Sequence, residues 1–569
     1  MKDLQMKRTN QILPLILGLL SILSAADRKP KIDPSLQQTA QKEFDVVLVY
    51  HDDDDDTSRK DRKDKVAKFG GKNSRDHATV GMGTVRANPE LLKELANDGN
   101  IRLILPDHKL SASGGSNDFA PGKVRTTTML TANVNRGNLT GKGIGVAVID
   151  SGIANLPAFS SGGKCDETRI VYSQNFASDA GTADLFGHGT HIASILGSNG
   201  KCEGNSQNGM ASEVNLINLR VLNSQGSGTD SGVIAAIDRA IQLKSTYNIR
   251  VMNLSLGRRV TAKFTDDPLC QAVERAWKAG IVVVVAAGNM GRNNSMNTQG
   301  YATIATPAND PFVITVGATR DPNPGLADRT DDTVTSYSSK GPTLLDHIVK
   351  PDLVAPGNLM IARTSAPNIL TTTYPDRVVT LSGNQYFRLS GTSMSTPVVS
   401  GAVAQLLDKD PGLTPDQVKA RLMKTAWKGF AATASVYDAQ TSTNFSVQQD
   451  LFTVGSGYLD VAAALASNEK IAANRAALSP RVMVVAGQVM LFTAYPELTG
   501  LNVVWGENVV WGSNVVWGSS VLTANNVVWG SNVVWGSNVT SGYNVVWGDN
   551  VVWGDSSPFS MALSTKGDN

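Results

Sequence analysis

Cysteine is scarce in this chain: Cys165, Cys202 and Cys270 are its only three in 569 residues. At most one disulfide can form within the chain, so no cystine framework holds the fold. Histidine is nearly as scarce, with six in all and no HExxH motif. The pair His188 and His191 in "HGTH" has no neighbouring carboxylate, which argues against a zinc centre. Charge of one sign is missing too, since 52 basic side chains face 50 acidic ones. No field favours nucleic acid as a partner. No apolar run approaches the ~20 residues of a membrane span. What remains is a globular balance, 41% hydrophobic and 18% charged, at a length that allows two or three domains.

Lys2, Lys7 and Arg8 precede the apolar run "ILPLILGLLSIL" (12–23), and the small residues "SAA" follow. This order is that of an export signal over 1–26, and it implies a secreted or extracellular product. Residues 27–125 read as a separate small α+β module. "FDVVLVY" (44–50) and "IRLIL" (101–105) are strands, and between them Asn88 caps a helix over 88–98 that has Pro89 at its first position. The acidic-then-basic run "HDDDDDTSRKDRKDK" (51–65) reads as a solvated loop.

From 127 to 470 strands alternate with helices. Apolar runs at 144–149, 214–222, 251–256, 281–287 and 312–318 are strands buried on both faces. Val233, Ile234, Ile237, Ala240 and Ile241 fall at helical spacing, as do Leu269, Val273 and Ala276. The pattern is α/β, with a doubly wound, mostly parallel sheet. Such sheets bind ligands beyond the carboxyl ends of their strands.

Three stretches meet that requirement. "IGVAVI" runs into Asp150, "FGHGTHIASILG" sets His188 at a helix start, and "GTSMSTPVVSGAVAQLL" sets Ser393 at another. A serine hydroxyl is a poor nucleophile near neutral pH, so an imidazole must take its proton, and a carboxylate on the far ring nitrogen fixes the tautomer. Ser393 would attack, His188 would shuttle the proton and Asp150 would orient the ring. The helix start at Ser393 aims backbone amides at a developing oxyanion, with Pro397 read as lying in the opening turn. Asn289, ending the strand of "VVVVAAGNMG", is the expected second oxyanion donor beside Ser393. The other hydroxyls, Ser390, Thr392, Ser395 and Thr396, read as packing or capping groups. The glycines of "TGKGIGVAV" precede a strand and do not fit GxGxxG, and Gly391-Thr392-Ser393-Met394-Ser395 is not the GxSxG elbow.

"VIDSGI", "GHGTHIAS", "AAGN" and "GTSMSTP" resemble, in order and spacing, the signature blocks of the subtilisin-like serine proteases, and "GSGYLDVAAAL" (455–465) is similar to that family's closing helix. The resemblance covers 127–470 and implies an endopeptidase acting on protein or peptide substrates without a catalytic cofactor. It also implies that Ser255, Leu256 and Gly257 pair with a substrate backbone and, with Ala286, Ala287 and Gly288, wall a specificity pocket. Residues 27–125 resemble, more weakly, the family's propeptide, which would make them an intramolecular inhibitor removed by self-processing. Structural calcium is common in that family, but no ligand set stands out here.

Cys165 and Cys202 follow the Asp strand and the His helix in loops, leaving either a bridge worth ~3 to 4 kcal/mol or separate thiols. Cys270, at helical spacing with Val273, reads as a buried free thiol. After a linker or strand-rich connection at 471–501, nine six-residue frames run from Asn502 to Asp555, repeating the unit N-V-V-W-G-x and degenerate only at "SVLTAN" (520–525) and "NVTSGY" (538–543), followed by a tail at 556–569. Run straight these frames would span ~180 Å, so the chain must turn, with Gly-x-Asn as the place. A β-rich meander or solenoid used for surface attachment is the expectation. The competing functional class is a catalytically silent protein that binds or adheres through this repeat.

Overall fold

The computed structural model describes residues 29–37, 41–112, 139–161, 164–203, 208–322, 329–438, 442–485 and 488–492. The expected export signal (1–26), the 125/127 boundary, the repeats (502–555) and the tail (556–569) lie outside the described residues. Two compact units emerge: one from residues up to 74 together with 85–106, the other from 75–84 together with 107 onward.

The first unit is α+β. Strands β1 (Lys31–Ile32), β2 (Phe44–Tyr50), β3 (Lys72–His77), β4 (Met82–Ala87) and β5 (Ile101–Pro106) order as β1-β5-β2-β4-β3. Val46, Leu48, Leu91, Leu95 and Ile104 form the centre of its core. The run 51–65, expected as a loop, is largely helical: α1 spans Asp56–Lys68. The order of its charges explains why. Asp55 caps the helix by accepting from Ser58 N at 2.7 Å, Asp56 stands in the first turn, and Lys65 and Lys68 stand in the last, each complementing the helix dipole. Arg62 is buried, with Asp54 accepting from it at 2.7 and 2.9 Å. Helix α2 (Pro89–Leu95) has Asn88 as its cap, as the sequence implies.

In the second unit β6 (Lys109–Ala112) is followed by β7 (Gly145–Asp150), β8 (Ile170–Asn175), α3 (His188–Gly197), β9 (Asn215–Arg220), β10 (Ser227–Thr229), α4 (Asp230–Gln242), β11 (Ile249–Leu254) and β12 (Leu256–Gly257). Then come α5 (Pro268–Lys278), β13 (Val282–Ala286), β14 (Ile314–Arg320), β15 (Thr333–Val334), β16 (Leu353–Pro356), α6 (Thr392–Lys409) and α7 (Pro415–Thr425). The main sheet runs β8-β9-β7-β11-β13-β14-β15, with β16 also on β14. All of its pairings are parallel except β14 with β15. This is the α/β architecture expected from the near-continuous apolar strands, and Val282 through Ala286 are buried throughout.

Helix α6 lies against β11, β13, β14 and α3. Val398, Val399, Val403, Leu406 and Leu407 are fully buried, each worth about 1.5–3 kcal/mol over an exposed side chain. That anchorage fixes where the N-terminus of α6 stands. Chain order places β8 and β9 on one side of β7 and β11 on the other, so the strand order reverses at β7, and Asp150 ends that strand.

Candidate active site

Asp150 and His188 meet where β7 ends and α3 begins. His188 Nδ1 lies 2.7 Å from Asp150 Oδ1, which also accepts from Ser151 N at 2.7 Å. A carboxylate only accepts, so Nδ1 carries the proton and Nε2 is the basic nitrogen. Both side chains are buried, and Nε2 has no hydrogen-bond partner among the described residues. The close approach requires Gly189, because a Cβ there would strike Gly152 O and stand 3.2 Å from Asp150 Cβ.

The sequence reading missed Asp184, whose buried carboxylate organises this corner. It accepts from Ser151 Oγ at 2.8 Å and from Gly187 N and Thr190 N, both at 2.7 Å, while Ser151 Oγ accepts from Gly189 N at 2.9 Å. It therefore satisfies amides at the start of α3 that have no helical partner. Burial raises its pKa above the ordinary carboxylate value, against the pull of the hydrogen bonds from Thr190, Gly187 and Ser151. One turn along, His191 Nε2 donates to Phe387 O at 3.0 Å and Met360 O at 3.2 Å. Burial, with the nearby His188, pushes its pKa down to about 3, so His191 is a neutral structural donor.

Ser393 is the second residue of α6, buried, with Oγ donating to Ser255 O at 3.1 Å. Pro397 corrects the sequence reading. It lies inside the helix, four residues after Ser393, and not in the opening turn. Its missing N–H therefore leaves the Ser393 carbonyl without a helical donor. Ser255 Oγ supplies one at 2.9 Å. Behind it, Asn253 Nδ2 donates to Ser255 Oγ at 3.1 Å, and Ser400 Oγ donates to Asn253 Oδ1 at 2.8 Å, all fully buried. The proline thus frees a carbonyl that ties the serine turn to β11. The neighbouring hydroxyls bind backbone, as expected of packing groups: Ser390 Oγ accepts from Leu359 N, Ser395 Oγ donates to Ala355 O and Thr396 Oγ1 donates to Thr392 O.

Asn289 follows β13 and faces the same helix start. Its Oδ1 accepts from Thr392 N at 3.0 Å and from Thr392 Oγ1 at 3.1 Å, while Thr392 Oγ1 accepts from Gly288 N at 3.1 Å. With Oδ1 held twice, the amide cannot flip, and its buried Nδ2 has no partner among the described residues. Thr392, read from sequence as a small capping group, is what orients Asn289. No local sequence signal marks that role, since a hydroxyl at a helix start is ordinarily a cap.

Ser255, Leu256 and Gly257 form one wall of a slot that the chain itself fills. Strand β6 lies antiparallel between β10 and β12, with Ser111 opposite Gly257, Ala112 opposite Leu256 and Leu110 opposite Gly228. Leu110 is buried there. Ala286 and Ala287 are fully buried at the end of β13, and Gly288 bends away with φ of 103°.

Cys165 and Cys202 are joined, with Cα atoms 5.5 Å apart, and Cys270 is a buried thiol whose pKa burial pushes well up. Among the described residues one carboxylate group could hold a cation: Asp321, Asp331 and Asp332 bring oxygens within 4.8 Å of one another, the hard ligands calcium takes. No helix among the described residues is long and apolar enough to cross a membrane.

The sequence model of the "Subtilase family" matches residues 141–457. Serine protease AprX of Bacillus subtilis is 42% identical over 301 residues, which cover 51% of this chain and 63% of that protein. Subtilisin E of Bacillus subtilis is 30% identical over 366 residues, 64% of this chain and 80% of its own length. Among solved structures, fervidolysin from Fervidobacterium pennivorans, a keratinolytic enzyme related to subtilisin, superposes with a TM-score of 0.57 at 21% identity, covering 78% of this chain and 64% of that one. That last likeness speaks for the fold.

Proposed function

Because the chain belongs to the subtilase family, we propose that it is a serine endopeptidase that cuts peptide bonds through an acyl-enzyme on Ser393. In this reading the Ser393 hydroxyl turns from Ser255 O to His188 Nε2, gives up its proton and attacks the scissile carbonyl. The Asp150 carboxylate steadies the imidazolium that forms. Asn289 Nδ2 and the Ser393 backbone N–H donate to the tetrahedral oxyanion, where preorganised donors contribute most. The imidazolium then protonates the leaving amine, and water repeats the sequence to release the acyl group. No metal or organic cofactor enters these steps.

One observation carries the reading: a buried His188 is held by Asp150 at 2.7 Å with its other nitrogen left open, in the same unit as an amide, Asn289, whose donor end is also open. The lodging of 109–112 between β10 and β12 supports binding of extended peptides by strand addition. It also supports a regulatory role for 27–125 as an intramolecular inhibitor removed by self-processing. We further read the protein as secreted, with the 502–555 repeat serving attachment.

Purified full-length protein should degrade an unstructured protein substrate. His188→Ala and Ser393→Ala should each lose at least about a thousandfold in rate, because removing one member of such a unit disables the whole. Undiminished hydrolysis in folded Ser393→Ala would refute the assignment. A wild-type protein that binds partners through its repeat and hydrolyses nothing would support the silent adhesion protein instead.

A further inference from the structure

The slot between β10 and β12 is closed at its far end by a buried ionic cluster. Arg258, next after Gly257, sends Nε and Nη2 to Asp230 at 2.9–3.0 Å and Nη2 to Asp267 at 2.9 Å. Its Nη1 donates to Arg259 O at 3.1 Å and Thr261 Oγ1 at 3.2 Å, so every guanidinium nitrogen is engaged. Asp230 and Asp267 are fully buried. Asp230 is the first residue of α4, directly after β10, and Asp267 caps α5, accepting from Leu269 N at 3.0 Å. Two carboxylates at two helix N-termini therefore share one cation, an arrangement in which dipoles and charges nearly cancel. The single arginine connects the two walls of the slot, β12 through its own backbone and β10 through Asp230.

What the cluster holds in place is a donor. Asp230 N donates to His108 O at 2.9 Å, just beyond the pairing of Thr229 with Lys109. A substrate strand in the register of 109–112 brings its next residue opposite Ser255, whose carbonyl accepts from Ser393 Oγ. Counting that residue as the first on the acyl side, the positions of 109 and 108 are the fifth and sixth.

On the premise of the protease reading, we propose that Thr229 and the Asp230 backbone N–H form a remote subsite for the fifth and sixth acyl-side residues of an extended peptide, and that Arg258 is the positioning residue that holds it. Nothing in the cluster touches the reacting atoms. Its effect is therefore confined to substrates long enough to reach it.

The test compares two chromogenic amides, one carrying the 108–113 sequence of this chain and one carrying only 111–113, on the purified full-length protein. Wild type should favour the long amide in kcat/KM by about tenfold, mostly through KM, the worth of one or two well-placed hydrogen bonds. In Arg258→Ala that preference should shrink to within about twofold while the short amide is turned over as before, because the remote donor alone is lost. Arg258→Ala leaves two buried carboxylates facing each other, so Asp230→Asn, which keeps the side-chain volume and the backbone N–H, is the companion variant and should move the ratio the same way. Arg258→Lys should restore part of it. An unchanged ratio in a folded Asp230→Asn, or equal losses on both amides, would overturn the subsite. Wild type freed of the 109–112 strand and still inert on both amides would overturn the protease reading, and this subsite with it.

Discussion

At the scale of single residues, Asn289 and Thr392 act as a pair. Thr392 holds Oδ1, which leaves Nδ2 as the end available to an oxyanion. Replacing Asn289 with Leu should therefore lower kcat by about 10²–10³ with little change in KM, the usual cost of one oxyanion donor. Thr392→Val keeps the volume but drops the hydroxyl, and a loss of about tenfold in kcat is expected from the freed amide. Steady-state kinetics on one peptide substrate measures both. His191 carries a pH dependence of stability. Its folded pKa of about 3 lies below the ordinary 6.5, so the unfolded chain takes up the proton first. Stability from this group is complete above pH 6.5 and drains away as pH falls toward 3, by up to roughly 4–5 kcal/mol. His347, held by burial at about 4, adds in the same window. Denaturant titrations at stepped pH should show a shallower acid loss in His191→Gln than in wild type.

At the scale of elements, α6 combines a helix start with an internal proline. The Ser393 carbonyl, deprived by Pro397, is served by Ser255 Oγ. Ser255→Ala should cost about 1–3 kcal/mol where that carbonyl is left unsatisfied, and less in a Pro397→Ala background, where an N–H returns to the helix. A double-mutant cycle in denaturant measures the coupling. The Cys165–Cys202 bridge closes a separation of 37 residues. On the chain-entropy account it contributes about 4 kcal/mol, which Cys165→Ser with Cys202→Ser should remove from the unfolding free energy. How much of this was legible in sequence follows from the range of each interaction. Strands such as Val282–Ala286 declared themselves by apolar runs, and Asp150, His188 and Ser393 by their positions at element ends. The helix at Asp56–Lys68 was misread because its polar surface carries almost no apolar stripe, although its charges were ordered for a helix. Thr392 acts through Asn289, and Asp184 and Asn253 reach Ser151 and Ser400, contacts made only once segments 103, 33 and 147 positions apart meet, although the bonds of Asp184 to Gly187 N and Thr190 N are local.

At the scale of the molecule, the sheet brings residues 38 positions apart, Asp150 and His188, to one hydrogen bond, and the serine turn joins the same sheet through Ser255, directly after β11 and 138 positions earlier. The catalytic claim depends on that convergence, and a mechanism-based probe reads it directly. Full-length protein treated with a fluorophosphonate should acquire one adduct, and peptide mass mapping should place it on Ser393. Labelling should vanish in Ser393→Ala and fall sharply in His188→Ala, because only an imidazole-activated hydroxyl attacks the phosphorus at neutral pH. Absence of labelling in folded wild type freed of the 109–112 strand, or labelling that persists in Ser393→Ala, would contradict the account.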